Sequence, residues 1–346
     1  MRRRPTIRDV AERAGVHPAT ASRALNPALP GRIAEPTASN VRAAARELGY
    51  APDPTARSLR TRRSGIVGVV IPDLTNPVLP PIVRGVEETL WRAGLASLVA
   101  DTDNDAEREA VAVRELQARR CEGLVIASAT RDSATVRALA DDGMAAVLVT
   151  RDVDHAGLCF VGGDDASGVH AALRHLIDLG HERIGYLAGP PDLSTTRTRL
   201  RAVRRTMAAA GLSRDLIVGP SDAYTIPAGR RAASKMLDAH RDVTAILAGN
   251  DMLAIGVYEA LAEKGLRCPG DVSVVGHNDM PLVDKVHPPL TTVVIPQYEI
   301  GVAAARLLLE RLDPDRRVAQ RTLLPTRLVV RQSTAPPRHD RGADIK

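Results

Sequence analysis

Three sets of side chains in this sequence carry spacings that chemistry could use, and two fail on inspection. Asp101, Asp103 and Asp105 alternate as at the start of a calcium loop, but Ala106 stands where the loop requires Gly and Ala112 where it requires a bidentate Glu. They suit helix capping better. His170, His175 and His181 lack the i, i+4 spacing of a helical metal pair and have no Cys nearby, so no metal site is expected. There is no phosphate-cradling Walker loop, no G-x-G-x-x-G after a strand, no H-E-x-x-H and no G-x-S-x-G, so neither an enzyme active site nor a cofactor is predicted. What remains is arginine. From Met1 to Arg63 there are 13 Arg against 5 acidic residues, a local balance of +8 in a chain whose formal net charge is +6. A basic head on a nearly neutral body points to a polyanion partner.

The elements that would hold those arginines are short. Thr6 can cap a helix that places Ile7, Val10, Ala11 and Ala14 on one face and ends at Gly15. A second helix is expected from Pro18 to about Leu25, and a third from about Glu35 to Leu48 with Val41, Ala45 and Leu48 inward. In TIRDVAERAGVHPATASRALN, small Ala11 and Ala21 stand where two helices must approach, with Val10, Val16 and Leu25 as core. This is the pattern of a helix-turn-helix, whose second helix enters the major groove. A plain helical pair is the alternative, and the +8 head argues against it.

Residues 51–63 are Pro-rich, basic and short of apolar side chains, which predicts a linker with one short helix between Pro54 and Leu59. After Ser64, apolar runs alternate with amphipathic stretches. Strands are expected at Ile66 to Ile71, Ala96 to Ala100, Gly123 to Ala127, Ala146 to Val149, Arg183 to Ala188, Ala245 to Ala248, Val272 to Val275 and Thr291 to Ile295. Continuous apolar strands separated by helices imply parallel sheets covered on both faces, too many for one sheet. The predicted fold is therefore an all-α head (residues 1–50), a hinge (51–63) and an α/β core of two lobes (64–334), with a polar, disordered tail (335–346). A ligand would sit at the carboxyl ends of the strands. Aromatic residues are only 2% of the chain, so the crevice offers little stacking surface. Cys121, Cys159 and Cys268 are far apart and show no C-x-x-C spacing, which suits a reducing cytoplasm, and neither a signal peptide nor a membrane span is evident.

The segments TIRDVAERAG, ATASRALN, ELGYAPDPTARSLR, GIVGVVIPDLTNP, HLIDLGHERIGYLAGP, GNDMLAIGVYEALAEKGLRCPGDVSVVGHND and PPLTTVVIP cover almost the whole chain in order. On these the chain resembles the lactose-repressor (LacI/GalR) family of transcription regulators. The resemblance implies a helix-turn-helix head, a hinge helix and a core similar to periplasmic sugar-binding proteins, which dimerises and binds a small effector. It implies a homodimer on double-stranded, pseudo-palindromic operator DNA. Matched residue by residue, it places Pro18, Ala19 and Arg23 toward base edges and Thr6, Thr20, Ser22 and Asn26 at phosphates. Pro18 and Ala19 can offer only apolar contact, so directional readout falls on Arg23. His17 stands where relatives often carry a Ser cap; it would add a phosphate contact or do nothing. Leu59, with Ala56 beside it, matches the hinge leucine that wedges into the minor groove.

In the core the resemblance places Thr150, Arg199, Tyr224, Asn250, Asn278 and Ile295 along the effector crevice. Sugar-responsive relatives commonly have Asp at the positions of Thr150 and Asn278 and Gln at that of Ile295; packing or strand capping is the alternative for Thr150 and Ile295. With both acids gone, Arg199 is expected to face no carboxylate, which favours an acidic sugar or a sugar phosphate over a neutral sugar as effector. Family relatives that tetramerise do so through leucine heptads, absent after Thr334, so a dimer is expected. A sugar-uptake protein would not need the basic head, and an α/β enzyme would need a nucleophile or cofactor motif. Salt-dependent DNA binding separates the first reading from both.

Overall fold

Runs such as IVGVVI and AVLV can bury every side chain only between two helical layers, and the computed structural model shows that arrangement twice. It describes residues 5–25, 33–51, 63–154, 157–313 and 318–338. The chain forms two units, Met1–Ser64 and Gly65–Lys346.

In the first unit, α1 (Ile7–Arg13), α2 (Pro18–Ala24) and α3 (Glu35–Leu48) enclose a small core of Val10, Ala11, Ala14, Ala21, Val41, Ala44 and Ala45. Thr6 and Asp9 form a reciprocal capping box: the Thr6 amide donates to Asp9 Oδ2 at 2.6 Å and the Asp9 amide donates to Thr6 Oγ1 at 3.4 Å. Helix α3 ends on Gly49 in the left-handed region, as a C-terminal glycine should. Arg13 of α1 pairs with Glu47 of α3 at 2.8 Å.

The second unit holds two six-stranded sheets. The first contains β1 (Ile66–Ile71), β2 (Ala96–Asp101), β3 (Gly123–Ile126), β4 (Ala146–Val149), β5 (Cys159–Gly163) and β11 (Arg321–Leu324), in the order β11-β5-β4-β3-β1-β2. The second contains β6 (Ile184–Ala188), β7 (Leu216–Pro220), β8 (Ala245–Ala248), β9 (Ser273–Asn278), β10 (Thr291–Val294) and β12 (Arg327–Val329), in the order β12-β10-β9-β8-β6-β7. All pairings are parallel except that of β10 with β12. Helices α4 (Leu79–Arg92), α5 (Ala106–Ala118), α6 (Ala134–Asp141) and α11 (Gln297–Arg311) serve the first sheet. The second has α7 (Asp165–Asp178), α8 (Ser194–Ala209), α9 (Ile226–Ala239) and α10 (Asp251–Glu263). The chain crosses between lobes three times, after β5, β10 and β11, so neither lobe is a continuous segment. Gly85 and Gly301 let α4 and α11 touch backbone to backbone: a Cβ at Gly85 would lie 2.2 Å from the Tyr298 carbonyl, and one at Gly301 2.0 Å from that of Ile82.

Four strands escape the sequence reading. Strand β7 lies on an edge with a broken burial pattern, β11 and β12 carry Arg and Leu with little apolar continuity, and CFVGG of β5 ends on two glycines. The tail is a correction. Residues 335–338 are not loose: the Ala335 carbonyl accepts from Ser273 Oγ at 3.0 Å and lies 2.9 Å from His181 Nε2, and Arg338 stands 3.5 Å from Asp271. Of the tail, residues 339–346 lie outside the described residues. Among those described, no helix is long and apolar enough to cross a membrane, and no group of three His, Cys, Asp or Glu could hold a metal ion.

Candidate DNA-reading helix and ligand crevice

Helix α2 buries one face, through Ala21, and leaves the other residues half-buried or exposed. Successive residues turn by about 100°, so Pro18, Ala19, Ser22 and Arg23 fall within an arc of about 140° that excludes Ala21. Ala19 and Arg23 are exposed and Pro18 and Ser22 half-buried. Thr20 lies beside this arc. Arg23, in the last turn, carries no ion pair among the described residues. His17 takes a role that neither expectation assigned. It is the N-cap of α2, its Nδ1 accepting from the Ala19 amide at 3.2 Å, in place of the usual hydroxyl. Thr6 Oγ1 is held within α1 by its bonds to Asp9. Asn26, Ala56 and Leu59 lie outside the described residues.

The crevice is built where strands of the two lobes end. In the second lobe Arg199, on α8, is buried. Its Nη1 donates to the Gly249 carbonyl at 2.5 Å, and its Nη2 to Asp165 Oδ1 at 3.0 Å and Asn278 Oδ1 at 3.4 Å. Asn250 caps α10, its Oδ1 accepting from the Leu253 amide at 2.9 Å, which leaves its two amide N–H donors and one lone pair of Oδ1. Tyr224 lies against Gly189, where a Cβ would come within 2.2 Å of its ring, and its hydroxyl is 2.9 Å from Thr196 Oγ1. Arg199, Tyr224, Asn250 and Asn278 therefore share one wall. Thr150 belongs to the other lobe, at the end of β4. Ile295 is buried at the crossover after β10, with its side chain against Gly163; it packs, as the plain alternative held.

The charge expected at Arg199 is corrected by Asp165. This carboxylate sits in the first turn of α7 just past the β5 crossover and supplies the partner that Thr150 and Asn278 lack. It also takes a hydrogen bond from His277 Nε2 at 2.9 Å; an ionised carboxylate only accepts, so that nitrogen carries the proton. Burial opposes the charge on Asp165, yet Arg199 and His277 hold its carboxyl well below the usual range. Burial and the adjacent guanidinium push His277 down to about 4, so it is neutral at physiological pH. Arg199 is therefore neutralised inside the protein and does not stand ready for an anion. Nearby Asp251 accepts from Thr292 Oγ1 and the Met280 amide, and burial raises it to about 6.

The two walls are tied at one end. Asp154, after β4, binds Arg131 of its own lobe at 2.7 Å and Arg197 of α8 at 2.8 Å, and the Asp152 amide donates to Ser194 Oγ at 2.7 Å. Two backbone conformations at strand ends could not be read from sequence: Thr150 has φ 59° and Asn278 φ 121°. For β-branched Thr150 the left-handed region is strained. Sequence reasoning missed Asp165, His277 and Arg151; the only local signal was a polar residue directly after an apolar run in VGGDD, VVGHND and LVTRD.

Residues 6–53 match the family described as bacterial regulatory proteins, lacI family, and residues 173–334 match the periplasmic binding protein-like domain. The HTH-type transcriptional regulator DegA of Bacillus subtilis is 30% identical over 96% of this chain and 98% of its own length. MalR of Streptomyces coelicolor is 34% identical over 97% and 98%. The fold matches a lac repressor dimer bound to operator and an anti-inducer, with a TM-score of 0.87 and 28% identity over 96% of this chain and all of that one. It also matches a CelR–cellobiose complex, with a TM-score of 0.71 and 30% identity over 95% and 100%. With a helix-turn-helix head, two lobes crossed three times by the chain and relatives aligned over 96% and 97% of it, this protein is a transcription regulator of the lacI family.

Proposed function

We propose that the protein is a cytoplasmic repressor that binds a pseudo-palindromic operator as a homodimer and is controlled by a small sugar-like ligand in the crevice. The observation that carries this reading is the arc of Pro18, Ala19, Ser22 and Arg23, with Ala19 and Arg23 exposed, on a helix anchored by Ala21. Such an arc can lie in a major groove with Arg23 reaching guanine, while Thr6, Thr20, Ser22 and Asn26 meet phosphates. Ala56 and Leu59 would wedge the minor groove and bend the operator, so Leu59→Ala should reduce both affinity and bending.

Dimerisation is supported by apolar surface on the first lobe. Trp91 is 73% exposed at the end of α4, and Leu98 and Val99 are both 39% exposed on edge strand β2. A monomer rarely leaves an edge strand and a tryptophan uncovered together. Two heads related by a two-fold axis must read inverted half-sites. Footprinting with sedimentation tests this: two inverted half-sites protected by a dimer are expected, and a single unrepeated site protected by a monomer would overturn the proposal. Arg199, Tyr224, Asn250, Asn278 and Thr150 are the proposed ligand contacts.

A further inference from the structure

Among the described residues, Arg151 is a cation at the crevice that no carboxylate pairs. It follows Thr150 at the end of β4, so the left-handed turn there aims the next residue across the strand ends. Its Nη1 donates to the Ser128 carbonyl after β3 at 3.1 Å, and its Nη2 to Asn104 Oδ1 after β2 at 2.9 Å. Both acceptors are neutral. Arg131 and Arg197 share Asp154, and Arg199 has Asp165, but no carboxylate oxygen of a described residue reaches Arg151 within ion-pair distance. Two of the acids nearest it are engaged elsewhere: Glu109 accepts from Ser128 and Ser133 hydroxyls at 2.5 and 2.7 Å, and Asp73 accepts from Thr75 at 2.7 and 2.6 Å. Asp192 of the second lobe is close enough to act on its charge, and the half-buried guanidinium is costlier to keep charged there than in open water.

A guanidinium offers five N–H donors, of which two are used here. A sugar hydroxyl could take one more but would leave the charge uncompensated, whereas an oxyanion accepts two in a planar fork and neutralises it. We propose that Arg151 sets the chemical class of the effector, taking a carboxylate or phosphate oxygen of a small sugar-like ligand. The anion is read by the first lobe, while Arg199 is a structural ion pair in the second. This rests on the reading of the crevice as the effector site.

The test uses full-length wild type, Arg151→Met, Arg151→Lys and Tyr224→Ala, with glucose, glucuronate, glucose 6-phosphate and inorganic phosphate as probes at matched ionic strength. Thermal shift and calorimetry read binding, and circular dichroism checks folding. Wild type should bind an anionic probe at least about tenfold more tightly than glucose, the size of a single charge-assisted contact. Arg151→Met should lose that preference and Arg151→Lys keep part of it. Glucuronate against glucose 6-phosphate tells carboxylate from phosphate, and millimolar inorganic phosphate is the minimal probe. An anion preference that survives in Arg151→Met, or no Arg151-dependent response to any anion, overturns the proposal. If glucose or another neutral sugar binds at least as tightly as the anionic probes, Arg151→Met leaves that binding unchanged and Tyr224→Ala abolishes it, the crevice reading stands and Arg151 alone is refuted. If no neutral or charged sugar changes stability or operator binding, both fall.

Discussion

Replacing Arg199 by methionine keeps most of the side-chain volume but removes the cation that faces Asp165 at 3.0 Å, in a pair whose side chains are only 7% and 12% exposed. Taking one partner from a buried pair strands the other charge and costs about 3–5 kcal/mol. Here His277 can answer. In the intact protein it is held at about 4 by burial and by the Arg199 charge; without Arg199 it regains proton affinity and becomes the cation for Asp165. Each pKa unit so regained returns about 1.4 kcal/mol at pH values where the ring is protonated. The loss of stability should therefore lie near the upper end at pH 8 and be about 1–2 kcal/mol smaller at pH 6. Asp165→Asn should partly rescue Arg199→Met, because a neutral amide no longer needs a cation. Urea unfolding of the four proteins of this cycle, without DNA, at both pH values, decides it. A loss below about 1 kcal/mol, the same loss at both pH values, or strict additivity of the two substitutions would refute the charge triad.

Arg23→Ala should cost about 1–3 kcal/mol on operator DNA and much less on random DNA, as read by gel shift at fixed salt; equal losses would make it a phosphate contact. Because His17 caps α2 through Nδ1, His17→Ala should lower hydrogen-exchange protection of α2 by about 1 kcal/mol while His17→Ser preserves it. Thr150→Asn should raise the urea midpoint, stabilising by about 1 kcal/mol through relief of a left-handed β-branched residue. His277, lowered in the folded state, contributes stability that is full above pH 6.5 and is lost as pH falls toward about 4. Asp251, raised to about 6, contributes in the opposite sense: its folded state gains as pH falls from 6 to about 4. The two offset, so His277→Gln should turn a flat stability profile between pH 4 and 6.5 into one that rises on acidification, measured by urea midpoints across that range.

Much of the architecture was written locally. Val10, Ala11 and Ala21 at helical spacing, Pro18 at a first helical turn and a basic segment free of acidic blocks specify a helix-turn-helix head, because helix periodicity and charge are properties of neighbouring residues. The apolar runs of β1, β3, β4, β6, β8 and β9 were legible for the same reason: a strand buried on both faces cannot hide its composition. Strands β7, β11 and β12 were not, since an edge or hinge strand borrows its order from the sheet that it joins. The crevice divided along the same line. Residue types at Arg199, Tyr224 and Asn250 could be matched in sequence, but the charge balance around Arg199 could not. Asp165 meets Arg199 only because the chain crosses lobes after β5, and His277 joins them from β9. Thr150 and Asn278 adopt positive φ only because strand ends and crossing segments dictate it. Charge compensation is a through-space property, so it took the folded chain to reveal that Arg199 is already paired and that Arg151 meets no carboxylate of a described residue.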